Sequence, residues 1–309
     1  MKTNISYVVS NSKHVKINKE EIAKLSKEVE IIDNKHLFKS LVDQYDEKTM
    51  LRFLILCESI NFCYWEEKNW KINYNDKIFK GSIAMFLSLK RKLETEPNFF
   101  EIKNLINLKY KEFCSIFISI DKPLSLLKER YNNFMQTVKI LHKKQDSFYD
   151  EIYTIKSDIE MLKYIIKTFP SFNDISFYKF KKIHFYKRAT LLVRDCFELV
   201  PRINRNIKSI SNLHACADYV IPNALREYGV LEYSDKLKKI IDNKKKLKHN
   251  SKMEIEIRAN MIYCVKLLKE ELEKKNIYID EVFLDSILWN KSKNTKNKYH
   301  HHRTKTIYY

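Results

Sequence analysis

Glycine is rare in this chain of 309 residues, where it occurs only at Gly81 and Gly229, and proline occurs only five times. Tight turns draw heavily on these two residue types, because each supports backbone angles that other residues adopt poorly. The apolar fraction of 44% is still high enough to form a substantial core. The sequence therefore predicts an all-α, multi-helix globular fold, with at most a small β element near the N-terminus, in residues 7–17 (YVVSNSKHVKI).

No internal repeat and no long linker interrupts the sequence, so residues 1–290 are expected to form one domain. Residues 291–309 differ in composition, since they carry six lysines and arginines and no acidic residue. Runs of like charge are typical of solvated loops and tails. The sequence therefore predicts a basic, disordered tail after residue 290.

The formal net charge of +19 favours anionic partners such as nucleic acid, nucleotide phosphates or lipid head groups. Much of this excess lies in residues 291–309 and in the run KKIIDNKKKLKHNSK, residues 238–252. A lysine-rich surface that keeps a protein in solution explains the charge equally well. The charge alone therefore does not require a polymeric partner.

The six cysteines show no Cys-x-x-Cys pair, and the lone segment His214-Ala215-Cys216 is a poor match to a zinc site. We therefore expect reduced core cysteines, no metal and no cofactor. The longest apolar runs, FLILC and IAMFL, reach about a quarter of the ~20 residues that a membrane-spanning helix needs. With no signal-like segment at the start, these features predict a soluble, cytoplasmic protein without a membrane partner.

Polar and charged residues interrupt an otherwise apolar pattern in residues 183–237. In the helix predicted from residue 185, the apolar side chains share one arc and Lys187 lies opposite it, where a solvated face is the ordinary explanation. Arg188 and Asp195 lie beside this arc. They could form a salt bridge with each other or line a pocket, and the pattern leaves both alternatives open.

A break in the chain is expected at Asp218 and Tyr219, shortly before Pro222, because a residue that precedes proline avoids the α region. A carboxylate at such a break could belong to a reaction centre, or it could cap the following helix by accepting its free N–H groups. Gly229 is expected to end that helix in the left-handed conformation, and Ser234 to cap the next one.

Two further segments depart from a simple amphipathic helix. Residues 61–74 (NFCYWEEKNWKINY) contain the closely spaced aromatic residues Phe62, Tyr64, Trp65 and Trp70, which could wedge helices together, or part of the set could stack on a planar ligand. Glu254, Glu256 and Arg258 alternate with isoleucines at the start of a long predicted helix. One or more of these three charged side chains are therefore expected to face inward.

A series of motifs carries a family resemblance. The segments FPSFND, FYKRATLLV, ADYVIPNALREYGVLEYSDKL, EIEIRANMIYCVKLL and LDSILWN occur in this order, preceded by YVVSNSKHVKI and by INFCYWEE with the later Gly81. In order and spacing they resemble the queuosine salvage proteins, the queuosine 5′-phosphate N-glycosylase/hydrolase family. The resemblance covers nearly the whole chain to Asn290, and an ordered run of motifs is far more specific than any single one.

The resemblance implies a fold similar to the helix-hairpin-helix DNA glycosylases and hydrolysis of queuosine 5′-monophosphate to queuine and ribose 5-phosphate, without a cofactor. Asp218 matches the Ala-Asp-Tyr motif and is expected to be the catalytic carboxylate, which stabilises an oxocarbenium-like sugar and orients the attacking water. Lys187 matches the Phe-Tyr-Lys-Arg-Ala motif and is expected to hold the phosphate or sugar, or to set the charge of Asp218.

The resemblance also implies residues that bind the substrate. Arg188 is the candidate for the 5′-phosphate, because its planar guanidinium suits phosphate oxygens. Asp195 is the candidate acid for the secondary amine and cyclopentenediol of queuine, and Tyr233 could add a hydroxyl. The residues expected to stack on the flat base are Phe62, Trp65 and Tyr219.

The chain departs from the family pattern at a few positions. Ser82 and Ile83 follow Gly81 where the family has a Gly-Tyr-Trp-like pattern, Val220 replaces a basic residue, and Asn290 replaces an acid. These departures leave the substrate specificity near them open.

Two other functions remain alternatives at this point. The basic charge also fits a non-catalytic helical protein that binds RNA or tRNA, and the same site could belong to a glycosylase for another modified nucleotide or for nucleic acid. For the main hypothesis, the expected partners are the small nucleotide and its product queuine, with no stable nucleic-acid partner.

Overall fold

The computed structural model describes residues 4–31, 36–65, 70–292 and 299–309. These residues are mostly helical, as the scarcity of glycine and proline predicts. The helices are α1 (Ile5–Ser10), α2 (Lys19–Glu28), α3 (Glu47–Ser59), α4 (Gly81–Thr95), α5 (Ile102–Leu105), α6 (Tyr110–Ser115), α7 (Leu127–Lys144), α8 (Asp146–Thr154), α9 (Asp158–Thr168), α10 (Lys187–Leu199), α11 (Pro201–Asn206), α12 (Val220–Glu227), α13 (Asp235–Asp242), α14 (Lys252–Glu273) and α15 (Glu281–Ser292). Among the described residues, no helix combines the length and apolar character needed to cross a membrane.

Short strands form three antiparallel pairs within the described residues: β1 with β6, β2 with β3, and β4 with β5. The strands are β1 (Val15–Ile17), β2 (Lys71–Tyr74), β3 (Lys77–Lys80), β4 (Ile175–Tyr178), β5 (Lys181–His184) and β6 (Leu231–Tyr233). In the pair that joins distant parts of the chain, Val15 lies opposite Tyr233 and Ile17 opposite Leu231. This pair ties the N-terminal segment to the region after α12.

The strands are not confined to the N-terminal region, and this corrects the predicted fold. The two hairpins turn at Asn75-Asp76 and at Lys179-Phe180, where φ is 50° and 58° in the first turn and 44° and 66° in the second. Asparagine and aspartate visit this left-handed region readily, whereas lysine and phenylalanine do so rarely. Because neither turn uses glycine, the low glycine content did not exclude them.

The N-terminal segment is part helix and part strand, although residues 7–17 were predicted to be a β element. Ile5–Ser10 form α1 and Val15–Ile17 form β1. Ile5 and Val8 are buried, and α1 packs against the long helix α14. This packing stabilises a helix in a valine-rich segment whose local preference favours a strand.

Buried apolar side chains form two large clusters. The larger cluster includes residues of α3, α4, α7, α9 and α10, and the smaller one includes residues of α1, α2, α12, α14 and α15. Phe185, just before α10, belongs to the smaller cluster, while Leu192 and Cys196 within α10 belong to the larger one. The start of α10 therefore lies where the two clusters meet.

The three charged residues at the start of α14 all face inward, which confirms that part of the prediction. Glu254, Glu256 and Arg258 are each at most 1% exposed. Arg258 forms an ion pair with Asp174 and lies 3.5 Å from a carboxylate oxygen of Glu254. Glu256 accepts hydrogen bonds from two backbone N–H groups just before β1. Each buried charge thus has partners, as a charge in the protein interior requires.

The described part of the C-terminal segment is packed, and this corrects the prediction of a disordered tail for residues 299–309. We call these eleven residues the C-terminal strap. Residues 291 and 292 still belong to α15, and residues 293–298 lie outside the described residues. The buried members of the strap are His302, Thr304, Thr306 and Tyr309.

Hydrogen bonds hold the strap on the body of the protein. The Tyr309 hydroxyl donates to Oε1 of Glu254 at 2.9 Å, and the Leu247 N–H donates to the Arg303 carbonyl at 2.8 Å. Burial falls on alternate residues from 302 to 306, as in an extended chain. The composition of this segment could not predict the pattern, because the number of lysines does not show which residues face the core.

Candidate functional site

A cavity of about 1600 Å³ lies at the start of α10 and is also lined by the first residues of α4 and α12, by α15 and by the strap. The predicted site residues that line it are Phe62, Trp65, Lys187, Asp195, Asp218 and Tyr219. The positions at which the chain departs from the family pattern also line it, namely Ser82, Ile83, Val220 and Asn290. The structure therefore brings together six of the eight predicted residues.

Asp218 occupies the break ahead of α12, where its carboxylate both caps the helix and lines the cavity. Its Oδ1 atom accepts hydrogen bonds from the N–H groups of Val220 at 2.9 Å and Ile221 at 3.0 Å. The side chain also lines the cavity and is 8% exposed. Burial raises the pKa of this carboxyl, although Lys187 and the two N–H groups oppose the rise. Capping the helix thus fixes the orientation of a carboxyl group that faces the cavity.

Lys187 is the first residue of α10 and is 9% exposed, so other segments cover the helix face that the sequence pattern predicts to be solvated. Its side chain lines the cavity and has no hydrogen bond or ion pair with the described residues. A cation is electrostatically unfavourable at a helix N-terminus. The position of this ammonium group therefore points to a role with an anionic group in the cavity.

Asp285 is a second carboxyl near Asp218 that the sequence did not single out. It lies on α15, is 5% exposed, lines the cavity, and accepts a hydrogen bond from the Cys216 N–H at 2.9 Å. Burial and then the charge of Asp218 hold the pKa of Asp285 well above its ordinary value. The only signal in the sequence is its place in the motif LDSILWN, to which no role was assigned.

Glu58 is a third buried carboxyl in the cavity, at the end of α3. The Asn61 side-chain amide donates to both of its oxygens, at 3.0 and 3.1 Å. Burial and the nearby charge of Asp195 raise the pKa of Glu58 to about 8, although Lys187 opposes the rise. An acid inside an apolar helix was the available signal in the sequence.

Asp195 lines the cavity within a network of charges. Arg194 donates to its Oδ1 atom through Nε at 2.9 Å and Nη2 at 2.6 Å, and His36 Nε2 lies 3.2 Å away. Burial alone would raise the pKa of Asp195, but the charge of Arg194 and the contact with His36 lower it to about 2. Asp195 is therefore ionised at neutral pH. It does not form the salt bridge with Arg188 that the sequence left as one alternative.

The same network contains donor atoms that could approach a metal ion. Ligand atoms of His36, Asp195 and Glu198 lie within 4.8 Å of one another. However, Arg194 already donates to Asp195 and lies 3.6 Å from a carboxylate oxygen of Glu198. Because the guanidinium occupies the position of a cation between these acids, the arrangement fits an ion-pair network better than a metal site.

Arg188 lies outside the cavity, which corrects its expected contact with a phosphate. Its side chain is 1% exposed and donates to the backbone carbonyls of Glu58, Ser59 and Ser171. Arg130 donates in the same way to the carbonyls of residues 60, 62, 63 and 125. The two buried arginines thus hold the segment that carries Glu58 and Phe62 to the cavity.

Tyr233 also lies outside the cavity. It belongs to β6, where it pairs with Val15, and the guanidinium of Arg226 lies 5.2 Å from its ring centroid. In this position the Tyr233 hydroxyl does not reach the cavity, so the structure does not bring it to the ligand contact that the resemblance implied. A family motif identifies a segment of the chain, but it does not distinguish the residues that face a cavity from those that face the core.

The predicted aromatic residues form one wall of the cavity. Phe62 is fully buried, and the Tyr219 hydroxyl accepts a hydrogen bond from the Tyr64 N–H at 3.3 Å. The Trp65 indole N–H donates to the Thr304 carbonyl at 3.1 Å. These contacts wedge neighbouring segments together, and the same side chains line the cavity, so the two alternatives for this segment are compatible.

Known proteins match the chain over most of its length. A family model described as queuosine salvage protein matches residues 41–309. A relative named queuosine 5′-phosphate N-glycosylase/hydrolase in Sphaerobacter thermophilus is 28% identical over 266 residues, which cover 85% of this chain and 82% of the relative. Relatives with the same name occur in Nematostella vectensis, at 29% identity over 98% of this chain and 96% of the relative, and in Mus musculus, at 29% identity over 85% and 83%.

Proposed function

The chain belongs to the queuosine salvage protein family, and from this premise we propose that it is an N-glycosidase that hydrolyses queuosine 5′-monophosphate to queuine and ribose 5-phosphate. The observation that carries the proposal is the position of Asp218, a buried carboxyl that two helix N–H groups orient beside a large cavity. Lys187 lines the same cavity, and its cation is not stabilised by the N-terminus of its own helix, so it is available to an anionic group there.

The chemistry of the substrate explains why a carboxylate is central. Queuine is a 7-deazaguanine, so it lacks the N7 atom that acid catalysis would protonate in a purine. Cleavage of the C1′–N9 bond must then depend on stabilising positive charge on the sugar as the bond breaks. An ionised Asp218 near C1′ supplies this stabilisation and accepts a proton from the water that attacks C1′, while the electron pair of the C1′–N9 bond leaves with queuine, which takes up a proton from solvent.

The two neighbouring carboxyls are suited to different protonation states. Burial raises the pKa of both carboxyls, but Lys187 and two N–H groups oppose the rise at Asp218, whereas the charge of Asp218 adds to the rise at Asp285 and holds its pKa well above the ordinary value. Environments that separate the pKa values of two acids allow one to act as a base while the other stays protonated. We assign the base to Asp218, and Asp285 then donates a hydrogen bond to the substrate.

The remaining groups of the cavity suit the other parts of the nucleotide. The ionised Asp195 can pair with the protonated secondary amine of the base, and Phe62, Trp65 and Tyr219 supply aromatic surface for its flat ring system. Lys80 and Lys187 line the cavity and can meet the 5′-phosphate.

A substrate panel tests this proposal. The protein is incubated with queuosine 5′-monophosphate, with queuosine and with queuosine-containing RNA, and free queuine is measured by chromatography. We expect release from the monophosphate at a far higher rate than from the other two. No release from any of the three by folded protein would contradict the proposal, and release mainly from RNA would indicate a glycosylase for nucleic acid.

The net charge of +19 favours one alternative, a non-catalytic protein that binds RNA or tRNA. Salt distinguishes the two functions, because a protein that contacts many phosphates loses affinity steeply as salt rises, roughly in proportion to the number of contacts. For the enzyme, KM for the monophosphate is expected to change much less between low and moderate salt.

The family resemblance supports three further expectations that belong to the same proposal. We propose that residues 1–290 form one domain on which the C-terminal strap packs, that this domain is similar to the helix-hairpin-helix DNA glycosylases, and that the protein acts in the cytoplasm on a free nucleotide. Comparison with an experimental structure of a helix-hairpin-helix glycosylase would test the second expectation, and localisation of a tagged protein would test the third.

A further inference from the structure

The C-terminal strap contributes directly to the cavity. His301 and Tyr309 are both among the lining residues. Beyond His301 the strap is held at two points by the aromatic segment, residues 61–65 after α3. Trp65 donates to the Thr304 carbonyl at 3.1 Å, and the Cys63 N–H donates to the Tyr309 carbonyl at 2.9 Å. The position of His301 is therefore determined by the same segment that carries Phe62 to the cavity.

The contacts of His301 determine which of its ring nitrogens can bind a ligand. Its Nδ1 atom lies 2.9 Å from the His302 carbonyl, and a carbonyl only accepts, so Nδ1 carries the proton of this hydrogen bond. Nε2 has no hydrogen-bond partner among the residues that the structure describes. Burial, together with the charge of Arg303, lowers the pKa of the His301 imidazole, so the ring is neutral at physiological pH. Nε2 is then a hydrogen-bond acceptor.

His302, the next residue, is packed in the protein interior, whereas His301 faces the cavity. His302 is 2% exposed, its Nε2 atom lies 3.3 Å from the Tyr309 hydroxyl, and it does not line the cavity. His301 lines the cavity and packs against the Tyr219 ring, with 4.9 Å between the ring centroids. Tyr219 directly follows Asp218 in the chain, so His301 lies on the wall of the cavity that carries this carboxylate.

We propose that His301 is a substrate-binding residue whose Nε2 atom accepts a hydrogen bond from a ribose hydroxyl of the nucleotide. The inference rests on the proposed function, because it places the sugar beside Asp218. A hydroxyl is the fitting partner, since it can donate to a neutral imidazole, whereas a fully ionised phosphate can only accept. The strap thereby forms part of the active site, although composition predicts a disordered tail.

The test is a cycle between substitutions at His301 and loss of single hydroxyls from the substrate. His301→Ala removes the ring, and His301→Phe keeps a ring against Tyr219 but removes Nε2. His300→Ala is the matched control, because His300 is the exposed neighbour. For each protein, kcat/KM is measured with queuosine 5′-monophosphate and with its 2′-deoxy and 3′-deoxy forms, and urea denaturation verifies that the variants are folded.

Loss of one hydrogen bond between neutral groups should lower kcat/KM by about 3–10-fold in both His301 variants and leave His300→Ala unchanged. Removing the hydroxyl that His301 binds should lower kcat/KM of the wild type more than it lowers kcat/KM of His301→Phe. The difference between the two reductions should be the same factor of about 3–10. Comparing the two enzymes cancels the different intrinsic reactivity of the deoxy sugars.

Equal effects of each deoxy substrate on the wild type and on His301→Phe would overturn the ribose contact. Unchanged kcat/KM in both His301 variants would overturn a binding role altogether. If the wild type does not hydrolyse the monophosphate, the proposed function fails instead, so the two failures are distinguishable. A His301→Ala variant that does not fold leaves the decision to His301→Phe, which conserves the packing.

Discussion

The indole N–H of Trp65 donates a hydrogen bond to the backbone carbonyl of Thr304, with 3.1 Å between the two heavy atoms. This bond joins the aromatic segment after α3 to the C-terminal strap, and both elements line the cavity. One wall of the site is thus built from two segments that are far apart in the sequence.

Trp65→Phe should loosen the strap without unfolding the protein. The variant leaves the Thr304 carbonyl without its partner, at an expected cost of about 1 kcal/mol in the free energy of unfolding. Hydrogen exchange by mass spectrometry should show faster exchange in residues 301–309. Tyr110→Phe is the control, because Tyr110 is 39% exposed. Unchanged exchange in the strap would contradict the role assigned to this bond.

Arg188→Met should reduce stability far more than it reduces substrate affinity in the protein that remains folded. It removes one donor from the carbonyls of Glu58 and Ser59, which keep the Asn61 N–H and the Asn133 amide, and it leaves the Ser171 carbonyl without its side-chain donor. The loss should cost about 1–3 kcal/mol. Urea denaturation measures the loss. Arg205→Ala is the control, because the Arg205 side chain is 69% exposed. A rise in KM with unchanged stability would contradict this structural role and support a contact between Arg188 and the phosphate.

Glu58→Gln should flatten the dependence of stability on pH. The pKa of Glu58 is about 8 in the folded protein and 4.5 ordinarily, so the native state retains a proton that the unfolded chain releases. This contribution to stability is complete below pH 4.5 and is lost as the pH rises towards 8. The variant should therefore gain stability relative to the wild type across this interval, by on the order of 1 kcal/mol or more.

Urea denaturation of both proteins at several values of pH measures the difference for Glu58→Gln, and other titrating groups cancel in the comparison. Glu129→Gln is the control, because Glu129 is exposed. A constant difference from pH 4.5 to 8 would show that Glu58 does not hold a proton in the native state.

Lys187→Met should shift the pH profile of the reaction as well as slow it. The ammonium group lowers the pKa of Asp218, so its removal raises that pKa. The acidic limb of the kcat/KM profile, where the base becomes protonated, should then move to higher pH. Lys182→Met is the control, because Lys182 is exposed. A slower enzyme with an unmoved acidic limb would indicate that Lys187 acts only by contacting the substrate.

The local sequence was sufficient to predict several features of the site. The break lies at Asp218 as predicted, although Ile221, the residue before Pro222, is itself helical, and Gly229 has φ of 70° just after α12, as expected for a residue that ends a helix. The Ser234 hydroxyl accepts the Leu237 N–H at the start of α13, as expected for a cap. Such features depend on backbone chemistry within a few residues, and a sequence displays this chemistry directly.

Features that depend on distant packing were not predictable in the same way. A helical wheel places Lys187 on a solvated face and Arg188 beside the core, but it does not show that other segments cover Lys187. Asp285 and Glu58 looked like ordinary helix residues, because their importance comes from the charges that surround them. The strap was missed since its alternating burial depends on a groove formed by the rest of the chain.

The most direct measurement of the central claim is the single-turnover rate of queuine release from queuosine 5′-monophosphate by the wild type and by Asp218→Asn. Asparagine can still accept the two N–H groups of α12, so the fold should persist, and Asp235→Asn serves as an exposed control. The account predicts a rate about 10²–10⁴-fold lower for Asp218→Asn. A folded Asp218→Asn variant with the wild-type rate would contradict it.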